Sequence, residues 1–165
     1  MSPGMHTYQV AVEWTGNQGS GTSGYRAYGR DHVISAGTKP DILGSSDPAF
    51  RGDAARWNPE DLLVASTSAC HKLWYHSLCA AAGIHVTSYR DHATGEMIED
   101  KGTGRRFTGV KLRPHVTIRA GDDTRKAARI HHDAHAKCFI ANSVNFAIEC
   151  EPVIEAAAGS CQSES

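Results

Sequence analysis

Residues 8–14 alternate, with Tyr8, Val10, Val12 and Trp14 on one side, which is the period of a half-buried strand. The Asn-Gln-Gly-Ser-Gly run at 17–21 is a turn-rich break. Residues 25–36 read as a second strand region through Tyr28, Val33 and Ile34. Residues 38–57 hold Pro40, Gly44, Pro48 and Gly52 without a clean period, which predicts a long loop. Residues 86–98 and 105–119 read as strands joined by a turn at 100–104. Val110 and Leu112, then Val116 and Ile118, alternate on either side of Pro114. Asp123 or Thr124 can cap a helix running to about Lys137. Residues 145–154 make a final strand, with Phe146, Ile148, Cys150 and Pro152 on one face, and 156–165 read as a frayed tail.

Residues 58–83 carry the clearest signals. Asn58 suits an N-cap and Pro59 the first helical position. Glu60 and Asp61 fall in the first turn, where the helix dipole favours acids. Gly83 is placed to end the helix in a left-handed conformation. Between them, residues 62–70 (Leu-Leu-Val-Ala-Ser-Thr-Ser-Ala-Cys) are apolar or small on every face. A helix without a polar face is normally buried. The order of elements predicts an α+β protein, a single domain over residues 1–165 with its structured core at 5–155. Antiparallel sheets would surround a buried central helix. So small a chain struggles to cover such a helix alone, which predicts an obligate homodimer.

Composition narrows the function. The chain has 165 residues, 40% hydrophobic and 21% charged, which suits one globular core rather than disorder. Its net charge is −1 and it has no basic stripe, so no nucleic-acid partner is expected. No apolar run approaches the ~20 residues of a membrane span, and residues 1–9 do not read as a secretory signal. A cytoplasmic location is the expectation, with no membrane partner and no cofactor.

There are five cysteines, at 70, 79, 138, 150 and 161, and no CxxC pair. That argues against a zinc ribbon or a thioredoxin-type motif. Cys79 lies half a helical turn round from Cys70, Cys150 alternates with Phe146 and Ile148, and Cys161 sits in the tail; all three read as structural or free. Cys70, by position, reads as a small buried hydrophobe. A reactive thiol would need a nearby positive charge. His71 cannot help Cys70, because adjacent helical residues point about 100° apart. On the second helix His131, His135 and Cys138 stand at i, i+4 and i+7, a spacing that could hold zinc; a solvated histidine-rich face explains them more simply.

The run Asn58-Pro-Glu-Asp-Leu-Leu63 followed by Ala69-Cys70 resembles the signature of the OsmC/Ohr family of organic hydroperoxide reductases, in which a cysteine stands ten positions after the glutamate. Cys138, in Ala136-Lys-Cys-Phe-Ile-Ala-Asn-Ser-Val144, matches the place of the family's second cysteine. Phe139 stands where that family often has proline, which suggests an outlying branch. The resemblance implies an intertwined homodimer and a thiol peroxidase. Cys70 would attack a peroxide and become a sulfenic acid, Cys138 would condense with it to a disulfide, and a dithiol or lipoyl-type reductant would reopen the bond. It also implies an arginine at the nucleophile, held by Glu60. Arg51 is the first choice, then Arg30 and Arg56. The readings from other classes are a non-catalytic relative that binds an apolar ligand or senses oxidants, and a Cys/His metal-binding protein.

Overall fold

The computed structural model describes residues 4–102 and 104–158. Cys161 and the expected tail from residue 159 onward lie outside the described residues. Backbone contacts divide the chain into two units, Met1–Leu62 and Leu63–Ser165, with the boundary inside the first helix.

In the first unit, β1 (Ala11–Trp14), β2 (His32–Ser35) and β3 (Ile42–Gly44) form an antiparallel sheet in that order. Asn17 makes the turn after β1, its Oδ1 accepting from the amides of Gly19 and Gly21. Two expectations are corrected here. The predicted loop at 38–57 contains β3 and a 3-10 turn at Pro48–Phe50. A three-residue strand is too short to show a period, and β3 is held by pairing Leu43 with Val33 and Ile42 with Ile34. The predicted half-burial of β1 is not found either: Tyr8, Val10, Val12 and Trp14 are all exposed. Beyond β3, Ser45 Oγ donates to Asp31 and accepts from the Asp53 amide, while Arg56 pairs with Asp31 at 3.3 Å and Asp53 at 3.7 Å.

Helix α1 (Pro59–Ala81) starts and stops where its sequence signals place it. The Asn58 side chain accepts from the Asp61 amide at 2.7 Å, and Gly83 adopts φ +74°, a conformation glycine enters without a Cβ clash. The helix buries one stripe, Thr67, His71, Tyr75 and Cys79, spaced four apart. Ala65, Ala69, Leu73 and Ser77 form an exposed line. Burial on every side, expected from composition, is therefore not met within the single chain.

The second unit pairs β4 (Val86–Asp91) with β7 (Pro114–Ile118), and β5 (Thr94–Asp100) with β6 (Gly104–Leu112), both antiparallel. Helix α2 (Thr124–Lys137) follows, with the Asp123 carboxylate accepting from the amides of Arg125 and Lys126. The predicted final strand is in fact two, β8 (Ala147–Cys150) and β9 (Val153–Ala156). They run parallel to β6 and β7 respectively, so the expected purely antiparallel arrangement is also corrected. Gly109 faces Ala147 and His115 faces Val153, the same register on both sides of the break. That register sets Pro152 opposite Pro114. Neither has an N–H to continue a ladder, so both strands break at the same level.

The core of this unit joins Tyr75 and Cys79 to Val116 and Ile118 of β7 and to Ala127, Ile130 and Ala134 of α2. Gly95 lets β5 approach α1: a Cβ there would stand 2.6 Å from Val64 Cγ2. Both helices are thereby held against sheet, with Cys70 on one and Cys138 at the end of the other.

Candidate active site

Cys70 precedes His71 of the buried stripe by one residue. It is therefore turned about 100° from the core and is only half-buried. Cys138 is the residue at which α2 ends, its amide donating to His135 O and its φ and ψ already extended. Its side chain is buried, and the Ala141 amide points at its Sγ from 3.4 Å. The two thiols, 68 positions apart in sequence, are near enough for Cys70 to act on the Cys138 proton, and both are free. Burial, reinforced by the Cys70 thiol, pushes Cys138 up to about 11. Cys138 therefore keeps its proton at neutral pH and can donate it toward the Cys70 sulfur.

An apolar cleft of about 300 Å³ opens beside this pair, lined by Cys70, Leu73, Trp74, Ser77 and Phe139. Trp74 and Phe139 meet edge to face with ring centroids 5.6 Å apart, and Lys137 Nζ lies 5.6 Å from the centre of the Trp74 ring. Phe139, the residue that departs from the resembled pattern, is thus a wall of the cleft. Trp74 lines the cleft as well as flanking the core.

The three candidate arginines belong to the first unit and differ there. Arg30 donates to Tyr28 O and Tyr25 O and stacks on both rings. Arg56 is committed to Asp31 and Asp53. Arg51, at φ 67° after the 3-10 turn, is exposed, and its guanidinium approaches only the Tyr25 ring, at 5.9 Å. Among the described residues its guanidinium, alone of the three, has no carboxylate or carbonyl partner. Glu60, in the first turn of α1, has one buried carboxylate oxygen without a hydrogen-bond partner.

A second cluster lies in the second unit, and sequence reasoning missed its membership. His131 does not join His135 and Cys138. It meets His71 of α1 and Cys150 at the end of β8, and these three are the group of potential metal ligands among the described residues. His71 Nε2 and His131 Nδ1 are 2.9 Å apart, and Cys150 Sγ stands 3.7 and 3.9 Å from them. Cys150 is therefore more than the core filler its alternation suggested. A signal did exist: a histidine on a stripe that otherwise reads as core is uncommon.

A mixed α+β chain that brings a dithiol to the edge of an apolar cleft defines a class of thiol-bearing proteins. The comparisons say which one. Residues 52–153 match the family model described as OsmC-like protein, so the chain belongs to the OsmC-like family. The fold resembles an OsmC-like protein of unknown function from Vibrio cholerae, with TM-score 0.81, 29% identity and coverage of 90% of this chain and 100% of that one. It also resembles an organic hydroperoxide resistance protein, OsmC, from Legionella pneumophila (TM-score 0.67, 14% identity, 92% and 98% covered). Another similar fold is the organic hydroperoxide resistance protein OhrB of Bacillus subtilis (TM-score 0.62, 18% identity, 91% and 98% covered). At those identities the last two show the fold alone. No curated protein matches the chain by sequence. Among the described residues no helix is long and apolar enough to cross a membrane.

Proposed function

We propose that this chain is a thiol-dependent peroxidase acting on organic hydroperoxides. The observation that carries the reading is the nearness of Cys138 to Cys70, which lines the cleft. Cys70, as thiolate, attacks the distal peroxide oxygen. The O–O bond breaks, the alkoxide takes a proton and leaves as alcohol, and Cys70 becomes a sulfenic acid. Cys138 then attacks the Cys70 sulfur; its proton leaves with the hydroxyl as water, and a Cys70–Cys138 disulfide remains. A dithiol or lipoyl-type reductant exchanges with that disulfide, is itself oxidised to a disulfide, and returns two thiols.

The walls of Leu73, Trp74 and Phe139 suit the organic part of a hydroperoxide. Arg51 is the cation of the proposal, because its guanidinium approaches only the Tyr25 ring and can fork two hydrogen bonds. Glu60, with its unpartnered oxygen, is the carboxylate proposed to hold it. The active form is proposed to be a homodimer, supported by the exposed apolar residues of β1 and by Leu73 in the middle of α1. A reducing cytoplasmic compartment would keep the thiols ready.

The test is consumption of an organic hydroperoxide by the full-length, reduced protein in the presence of a dithiol. Turnover with a Cys70–Cys138 bond trapped in the oxidised protein is the expected result. Unchanged consumption by Cys70→Ser sinks the reading. Sedimentation of the same sample reports the dimer.

A further inference from the structure

We propose that His71, His131 and Cys150 form a binding site for one zinc-type divalent ion, a clamp behind the Cys70–Cys138 pair. The three donors come from three separate elements, α1, α2 and the end of β8, so their meeting is a tertiary event. Their donor atoms all lie within 4.8 Å of one another. In a tetrahedral zinc site, with Zn–N near 2.0–2.1 Å and Zn–S near 2.3 Å, donor atoms stand roughly 3.3–3.6 Å apart. The separations here are 2.9, 3.7 and 3.9 Å, which bracket that spacing. Side-chain shifts of about half an ångström would meet it.

Hydrogen bonding alone leaves this cluster poorly served. Two imidazoles bonded to each other share a single N–H between them. The far nitrogens, His71 Nδ1 and His131 Nε2, are buried without a hydrogen-bond partner and lie outside the donor set. Two nitrogens with one sulfur is a donor set zinc favours.

The surroundings agree. Both imidazoles are buried. Asp91 and Glu151 set negative charge near Cys150. Those same carboxylates favour a cation, which would displace the thiol proton to solvent as the metal–sulfur bond forms. Asp91 is held in place by Ser68 Oγ and the Arg113 amide. Since His71 adjoins Cys70 and His131 shares α2 with Cys138, the ion would tie together the two helices that present the redox pair.

The experiment uses the full-length, reduced, metal-stripped protein, titrated with Co²⁺ and then Zn²⁺. About one equivalent should bind per chain, with thiolate-to-cobalt charge transfer in the spectrum, displacement of cobalt by zinc and release of a proton. Cys150→Ala should remove the charge-transfer band, and His131→Gln should weaken binding at least about tenfold. Cys70→Ser and Cys138→Ser should leave both intact. Should the histidine or cysteine variants fail to fold, peptide-mapped alkylation of the wild-type protein decides, with zinc expected to protect Cys150. Absence of stoichiometric binding overturns the proposal. So does binding that survives in Cys150→Ala but fails in Cys138→Ser, since it would place the ion at the redox pair. Peroxidase activity enters none of these readouts, so the two proposals stand or fall separately.

Discussion

Cys70 and His71 are neighbours in sequence, yet they belong to two different chemical environments. Cys70 lies at the edge of an apolar cleft with Cys138 as its partner. His71 lies on the buried stripe of the same helix, with His131 and Cys150. The 100° step between successive helical residues makes the separation. Each set holds a cysteine whose proton is retained by burial, but the further causes differ. The Cys70 thiol reinforces retention at Cys138, whereas the Asp91 and Glu151 charges do so at Cys150. One helix thus sets a half-buried sulfur at the cleft and, one residue on, a buried imidazole beside His131 and Cys150.

The sharpest way to break the comparison is to remove one set and read the other. Cys70→Ser should lower peroxide turnover by about a thousandfold or more, as loss of a nucleophile does, while cobalt titration of the same variant remains stoichiometric. Loss of both would show that the sets are not separate. Cys138→Ser should form a Cys70 sulfenic acid with one equivalent of peroxide and a dead-end sulfinic acid with a second, both detected by mass spectrometry; sustained turnover with the same dithiol would remove Cys138 from the cycle.

A gentler test uses pH. Cys138 titrates near 11, above the ordinary thiol range, so its thiolate fraction at pH 7 is small. Its alkylation should accelerate about tenfold per pH unit until that value is approached. The half-buried Cys70 should be labelled before the buried Cys138 at pH 7. Peptide-resolved labelling across pH checks both statements. The smallest effect concerns what the sets share. Asn58→Ala removes the side-chain cap of α1 and should cost about 1 kcal/mol of stability in chemical denaturation. Because α1 carries Cys70 and His71 alike, a loss confined to one function would argue against a common scaffold.

Local signals located the elements that end by local rules. Asn58, Pro59 and Gly83 bound α1, and Asp123 starts α2, because capping groups act within a few residues of the amides they satisfy. The alternation of Val110, Leu112, Val116 and Ile118 identified buried positions on both sides of Pro114. Where pairing is remote, those signals failed. β3 is too short for a period, and β8 and β9 separate at Pro152 because each has a different parallel partner. No spacing rule joins Phe139 to Trp74 across the cleft.

The sequence by itself determined the two helices, the α+β class, the OsmC-like signature and the candidacy of Cys70 and Cys138. Only the tertiary structure brought these two sulfurs near each other. It also took His131 away from His135 and Cys138 and gave it to His71, 60 positions off, and it brought in Cys150, 79 positions from His71. The physical reason is one of range. A cap or a helical stripe is written in neighbouring residues, whereas a cluster drawn from α1, α2 and β8 exists only once the sheets have set those elements against one another.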